Sequence, residues 1–349
     1  MPAEKWVLSA AGKWECNGRP SFTNRDSLVY GNYRPSELNT GVLNLATLDT
    51  HTGDFVTTGH GQLVENLDIT GRIKIRHNGT TFKNCRAQGG LPNGEAGFGT
   101  VEAFQARTSP TRFYDCTFIS NPATNPAVAS LQTRNAATGI QGQDFELYRC
   151  DISGGVDGVG AQIRNVTIKG CKIHGLVWYP DAHSGNTPSH NDGIQVHGGT
   201  TFTIVGNSIE VGQEGLAKKH TSAIIVTQDS AATSNLVIDK NWLYSLATQG
   251  CAVGINITQT GTYGPGAYTG TVQITNNRFS ALTTWESNHA ALIDRNTYDI
   301  ATISGNVYDE TGLPAKATRA RRSSHGTTAK APQAARRSRQ RTARTTLRA

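Results

Sequence analysis

The chain has 349 residues, 38 of them Gly, with 7% aromatic and 36% hydrophobic residues. So much glycine excludes a helical bundle, because Gly weakens every helix interior it enters; the length allows one long solenoid or one to three ordinary domains. The formal charge of +7 suggests a nucleic-acid partner until it is located, for residues 314–349 hold 11 of the 33 Lys and Arg and no acidic residue, which leaves residues 1–313 mildly acidic.

No window approaches the roughly 18 apolar residues of a membrane span, so no membrane partner is expected. The start, Met1-Pro2-Ala3-Glu4-Lys5-Trp6-Val7-Leu8, lacks the apolar centre of a secretory signal. The expectation is a protein that works inside a cell or leaves without the usual export route. Residues 1–40 show no period and carry Trp6, Trp14, Phe22, Tyr30 and Tyr33. They are expected to cap the first coil of a solenoid or to serve as an attachment segment.

From about residue 41 a repeat sets in: an apolar residue, two variable ones, then Leu, Cys or Asn, one variable residue and a further apolar one. It fits Val64/Leu67/Ile69, Phe82/Cys85/Ala87, Phe113/Cys116/Phe118, Leu147/Cys150/Ile152, Ile168/Cys171/Ile173, Ile204/Asn207/Ile209, Ile238/Asn241/Leu243, Ile274/Asn277/Phe279 and Ile303/Asn306/Tyr308. The central positions lie 18 to 36 residues apart, so coils of unequal length must absorb insertions at their corners. That pattern predicts an all-β, parallel β-helix over residues 41–313, with coils stacked at about 4.8 Å.

Stacking also explains the residue types. An inward Asn can hydrogen-bond the backbone and the Asn of the next coil, and Cys is small and tolerates burial. Cys85, Cys116, Cys150 and Cys171 are therefore expected to form an interior column continued by Asn207, Asn241, Asn277 and Asn306. No Cys-x-x-Cys occurs, so the thiols are expected to be structural, folding is expected in a reducing compartment, and neither metal nor cofactor is expected.

Partner strands align at Asp157–Gln162, Asp192–His197, Ser222–Thr227 and Val253–Thr258. Alternation turns Ile194 and Val196 inward and places two columns outward, Gly160/Gln195/Ile225/Asn256 and Gln162/His197/Thr227/Thr258. After residue 313 the pattern stops, and residues 314–349 are expected to form a disordered basic tail, the one part of the chain that could meet nucleic acid.

The repeat resembles the right-handed parallel β-helix proteins of the pectate-lyase-like superfamily. Asn39-Thr40-Gly41-Val42, Ser189-His190-Asn191-Asp192-Gly193-Ile194-Gln195, Thr227-Gln228-Asp229 and Asn235–Leu243 are similar to stretches of β-helix proteins from actinobacteria and their phages, some of which are minor tail proteins. The resemblance implies a right-handed fold and a groove for glycans along one sheet. It leaves activity open, because the superfamily holds lyases, hydrolases, tailspikes and non-catalytic adhesins.

Candidate chemistry follows from position. Asp157 and Asp192 occupy equivalent places and could form a carboxylate pair for glycoside hydrolysis, or could only make Asp-Gly turns. His197 is the third candidate acid or base. Trp178, Tyr179 and His183 lie in an insertion leading into His190 and Asn191, and with Gln195, Gln162 and Asn256 they are the expected substrate contacts. Polygalacturonases carry Gly-His-Gly and Arg-Ile-Lys after an Asn-Thr-Asp-Gly stretch; here Gly59-His60-Gly61 and Arg72-Ile73-Lys74 precede Asp192 by several coils. A lyase would need a cluster of acidic residues, and Asp229, Asp294 and Arg295 do not supply one.

The expectation drawn is a phage tail-associated protein that binds host cell-surface polysaccharide, with cleavage left open and hydrolysis preferred to elimination. Such a protein would be assembled in the host cytoplasm and work on the virion, its N-terminal segment meeting other virion proteins. The alternatives are an extracellular polysaccharide-degrading enzyme and a non-catalytic structural spacer. Oligomeric state stays open.

Overall fold

The computed structural model describes residues 6–8, 14–16, 30–89, 99–120, 137–179, 188–212, 220–246, 251–257, 268–281, 285, 290–293, 295–315 and 317–319. From Asp49 onward the chain winds into a parallel β-helix with three faces. Face A is a ten-stranded sheet that includes Asp49–His51, Lys172–His174, Ser208–Val211 and Val307–Tyr308. Faces B and C are joined in one seventeen-stranded sheet, because Asp157–Lys169 and Asp192–Val205 run unbroken through the bend between them.

The registers match the alignment made from sequence. Asp192 pairs with Ser222 and Ser222 with Val253, and Gly160, Gln195, Ile225 and Asn256 are successive partners. The second outward column is less regular. An irregularity between Ala161 and Ile163 interrupts it at Gln162, and Thr258 lies outside the described residues.

The turn from face C to face A is built by one left-handed residue per coil. Asn66, Asn84, Asp115, Arg149, Lys240 and Asn276 hold φ between 51° and 57°, and Gly170, Gly206 and Gly305 hold 63° to 67°. All but Arg149 and Lys240 are Asn, Asp or Gly, the residues that enter this region at least cost. Each immediately precedes a central position of the repeat, so the corner and the interior column are one device.

That column is continuous. Asn207, Asn241 and Asn277 are 0% exposed. The Oδ1 of Asn241 accepts from the Asn207 backbone N–H at 3.0 Å and from its Nδ2 at 2.9 Å, while Asn241 Nδ2 donates to Ile204 O at 3.0 Å and to Asn277 Oδ1 at 2.9 Å. Asn277 repeats this with Asn306 and Ile238. At the upper end the Cys171 N–H donates to Asn207 Oδ1 at 2.9 Å, and from there Cys171, Cys150, Cys116 and Cys85 continue the line as buried free thiols. The thiols donate to carbonyls of their own corners, as Cys116 Sγ does to Tyr114 O at 3.3 Å. Stacked Phe82 and Phe113, 4.9 Å apart, fill the core of these coils.

Residues 30–43, of which 30–40 belong to the segment expected to cap the first coil and 41–43 to the expected β-helix, run along the outside of the stack. The Tyr30 hydroxyl accepts from Arg149 Nη1 at 3.2 Å and Gly31 lies against Lys240. Arg34 sits 4.0 Å over the Tyr244 ring and pairs with Glu210 at 3.1 Å. Glu37 binds Lys172 at 2.8 Å, Gly41 N–H donates to Arg149 O at 2.7 Å, and Leu43 N–H reaches Asn84 Oδ1 at 2.9 Å. This strap passes the coils in reverse order before the chain enters the first one. Trp6–Leu8 and Trp14–Cys16 pair as an antiparallel ribbon; the rest of residues 1–29 lies outside the described residues.

At the other end the sheet does not stop at 313. Ala317–Arg319 pairs with Ala291–Ile293, and Ala315 N–H donates to Asn306 O at 2.9 Å. The expected disorder of the tail falls on residues 320–349, outside the described residues. Among the described residues no helix is long and apolar enough to cross a membrane.

Replacing one rung tests the column. Asn241→Ala deprives two Asn207 donors and the Ile204 carbonyl of partners in a dry interior, and should lower the unfolding free energy by about 2–4 kcal/mol. Urea titration followed by circular dichroism measures it; an unchanged midpoint would show that the ladder contributes nothing.

Candidate functional site

The strap covers part of face A, and its outward Lys172 is left only 6% exposed. Face B carries no such cover among the described residues. Its outward column begins in charge: Arg72 is buried and pairs with Asp54 at 3.1 Å and Glu102 at 2.7 Å, Lys74 pairs with Asp54 at 2.9 Å, and Arg76 lies 3.6 Å from Glu102. From there it turns neutral. Gln141, Gly160, Gln195, Ile225 and Asn256 follow in register.

Asp157 and Asp192 are in-register neighbours at the corner between faces A and B. The Asp192 N–H donates to Asp157 Oδ1 at 2.9 Å, and the Asp192 carboxylate accepts from the Ser222 N–H. Burial, with only that one bond opposing it, pushes the Asp157 carboxyl up to about 7. Asp192 is 2% exposed, and burial followed by the neighbouring Asp157 charge holds it well above the usual range. The corner thus turns the pair inward: Asp192, expected as a catalyst, is a buried rung, and Asp157 is the partly exposed member.

His197 stands at the other end of the same strand, and the run from Asp192 to His197 spans about 16 Å at 3.3 Å per residue. The three expected catalytic residues do not converge. His197 Nδ1 lies 3.6 Å from Asp229 Oδ2, and burial lowers its pKa against the pull of that carboxylate. Its corner is strained, because Ile163 and Thr201, both β-branched, hold φ at 56° and 66°.

The insertion after His174 is pinned at its base. Asn191 is 0% exposed; its Oδ1 accepts from Ser189 Oγ at 2.6 Å and its Nδ2 donates to Val177 O at 2.7 Å. Asn191, expected as a substrate contact, is therefore a peg that fixes the loop, since both ends of its amide are used inside. Tyr179 N–H donates to Ser189 Oγ at 2.9 Å, and the ring packs on Ala137 and Val156. Trp178 and Tyr179 are partly exposed and His190 is exposed; His183 lies outside the described residues.

Gln195, Gln162 and Asn256 are partly exposed and face outward, as expected. Sequence reasoning missed Gln141, which sits one coil before Gly160 in the same column, because the stretch before it carries no Asp-Gly marker. A Cβ at Gly160 would meet Gln141 Cγ at 2.9 Å, so the Gln141 side chain lies over the gap left by that glycine. Among the described residues no group of three His, Cys, Asp or Glu could hold a metal ion.

No family model matches the chain, and no curated protein matches it. Among solved structures, the crystal structure of the Dettilon tailspike protein is similar in fold, with a TM-score of 0.37 and 13% identity over 78% of this chain and 61% of that one. The chain thus covers less than two thirds of that structure.

The carboxylate pair predicts a pH dependence of stability. Because the folded corner holds protons that the unfolded chain releases near pH 4, stability should fall as pH rises from about 4 through 7 and beyond. Asp192→Asn, which imitates the protonated form, should raise the melting temperature at pH 8 and leave it nearly unchanged at pH 4. Equal shifts at both pH values would rule out a buried proton.

Proposed function

We propose that this chain is a phage tail-associated β-helix protein that binds a host cell-surface polysaccharide along face B. The observation that supports it is the outward column of face B, where Gln141, Gln195 and Asn256 stand on alternate coils beside the pinned loop bearing Trp178 and Tyr179. Amides two coils apart, about 9.6 Å, can meet every second sugar of an extended polymer, and aromatic faces pack against sugar rings. Assembly in a cytoplasm suits Cys85, Cys116, Cys150, Cys171 and Cys251, which are buried and free, since a reducing compartment keeps thiols unpaired while the chain folds.

Binding is preferred to cleavage because the acid and base candidates lie at opposite ends of a strand. A glycosidase sets its two carboxyl groups about 5 to 9.5 Å apart on either side of the scissile bond. Asp192, inside the wall, cannot reach such a bond. One observation favours a hydrolytic second reading: Asp157, partly exposed and titrating at about 7, has the protonation a general acid needs.

Full-length protein incubated with a panel of bacterial envelope polysaccharides separates the readings. The expected result is retention of one polymer in co-sedimentation, weakened at least about tenfold by Gln141→Ala with Gln195→Ala, with no new reducing ends. Reducing ends that disappear in Asp157→Asn would establish hydrolysis instead. A protein that retains no polymer, or one whose retention ignores the double variant, has no binding face here.

A further inference from the structure

Resting on the glycan-binding reading, we infer that face B takes an uncharged polysaccharide, recognised through its hydroxyl groups by glutamine amides, and not a uronate or otherwise acidic polymer. Three observations carry this.

The first is charge. Among the described residues, the outward side of face B from Gln141 to Asn256 presents no Lys or Arg. The cations nearest its beginning, Arg72, Lys74 and Arg76, are committed to Asp54 and Glu102. An acidic polymer brings a carboxylate or sulfate with each repeat, and its recognition calls for Arg forks or Lys at matching intervals. The exposed Asp229 carboxylate at the rim would repel it further.

The second is unused hydrogen-bonding capacity. Gln141, Gln162 and Gln195 are partly exposed on three consecutive coils, and their side-chain amides make no hydrogen bond to another described residue. Other glutamines are tied: Gln143 Nε2 donates to Phe104 O, and Gln228 Oε1 accepts from Thr233 N–H. An amide offers two donors and an acceptor with no net charge, the same mixture a sugar hydroxyl presents in reverse.

The third is shape. The Gln141 side chain lies over Gly160, and Ile225 beside Gln195 supplies an apolar patch for the C–H face of a pyranose. Coil spacing of about 4.8 Å is close to the advance of one sugar in an extended chain, so the staggered amides can meet successive residues.

The test is a comparison of two polymer classes on full-length protein, a neutral galactan or glucan series and a uronate polymer of similar length, each titrated at low and high salt. The inference expects neutral polymer to bind with an affinity that salt leaves nearly flat and that Gln195→Ala weakens about threefold to tenfold, the range of one neutral hydrogen bond. Uronate binding weakened by Gln195→Ala would overturn the uncharged class and leave glycan binding on face B standing. If Gln195→Ala changes the affinity for neither polymer, including uronate held only by the basic C-terminal stretch, the binding reading itself falls.

Discussion

Everything in this molecule depends on buried side chains meeting their counterparts one coil away. A parallel coil pairs its backbone with the coils above and below, and the side chains of one column then stand at the strand spacing of about 4.8 Å. Asn207, Asn241, Asn277 and Asn306 turn that repeat into hydrogen bonds, each carboxamide accepting from its neighbour and closing a carbonyl of the coil before it. Such a line has no slack. A residue inserted inside the wall would break register for every later coil, so insertions are driven to the corners, and most of the length difference between coils lies between faces A and B.

This explains what could be read from the chain. The interior column demands a small or hydrogen-bonding residue between apolar neighbours, and Cys85, Cys116, Cys150 and Asn241 announce themselves by that demand. The left-handed residue before each of them left an equally regular trace, Asn66, Asn84, Gly170, Gly206 and Asn276 among others, but its meaning needs the turn geometry to be seen. The strap left none. Tyr30, Arg34 and Glu37 meet residues more than a hundred positions away, and contacts of that range impose no local period. Face B was legible as alternation along its strands, whereas the corner that turns Asp157 and Asp192 inward was not, because alternation holds only where a strand is straight.

The two polar columns contrast instructively. Both place one polar side chain per coil in a buried line and both let it accept from the next backbone N–H. The Asn column is neutral and its amides supply the donors that an acceptor line lacks. The two carboxylates of the Asp corner bring acceptors only, and Asp192 Oδ1 and the Ser222 hydroxyl are left without partners. Burial of both carboxyls raises them above the usual range, a shift that the packing of the wall explains without invoking catalysis.

Function then follows from how the faces are divided. Face A is partly sheathed by the strap, its lysine and glutamate bound to Glu37 and Arg34. The first coils of face B are closed by their own ion pairs. What is left is a run of coils where the outward residues are amide, glycine, amide, isoleucine and amide, with the loop of Trp178 and Tyr179 fixed beside it by the buried Asn191. Residues that could do acid–base chemistry are drawn into the wall or into a separate corner, while residues that can only bind stay on the surface. On the binding reading proposed above, such a wall would hold a polymer by repeating weak contacts, and its strength would come from the number of coils engaged and not from any single residue.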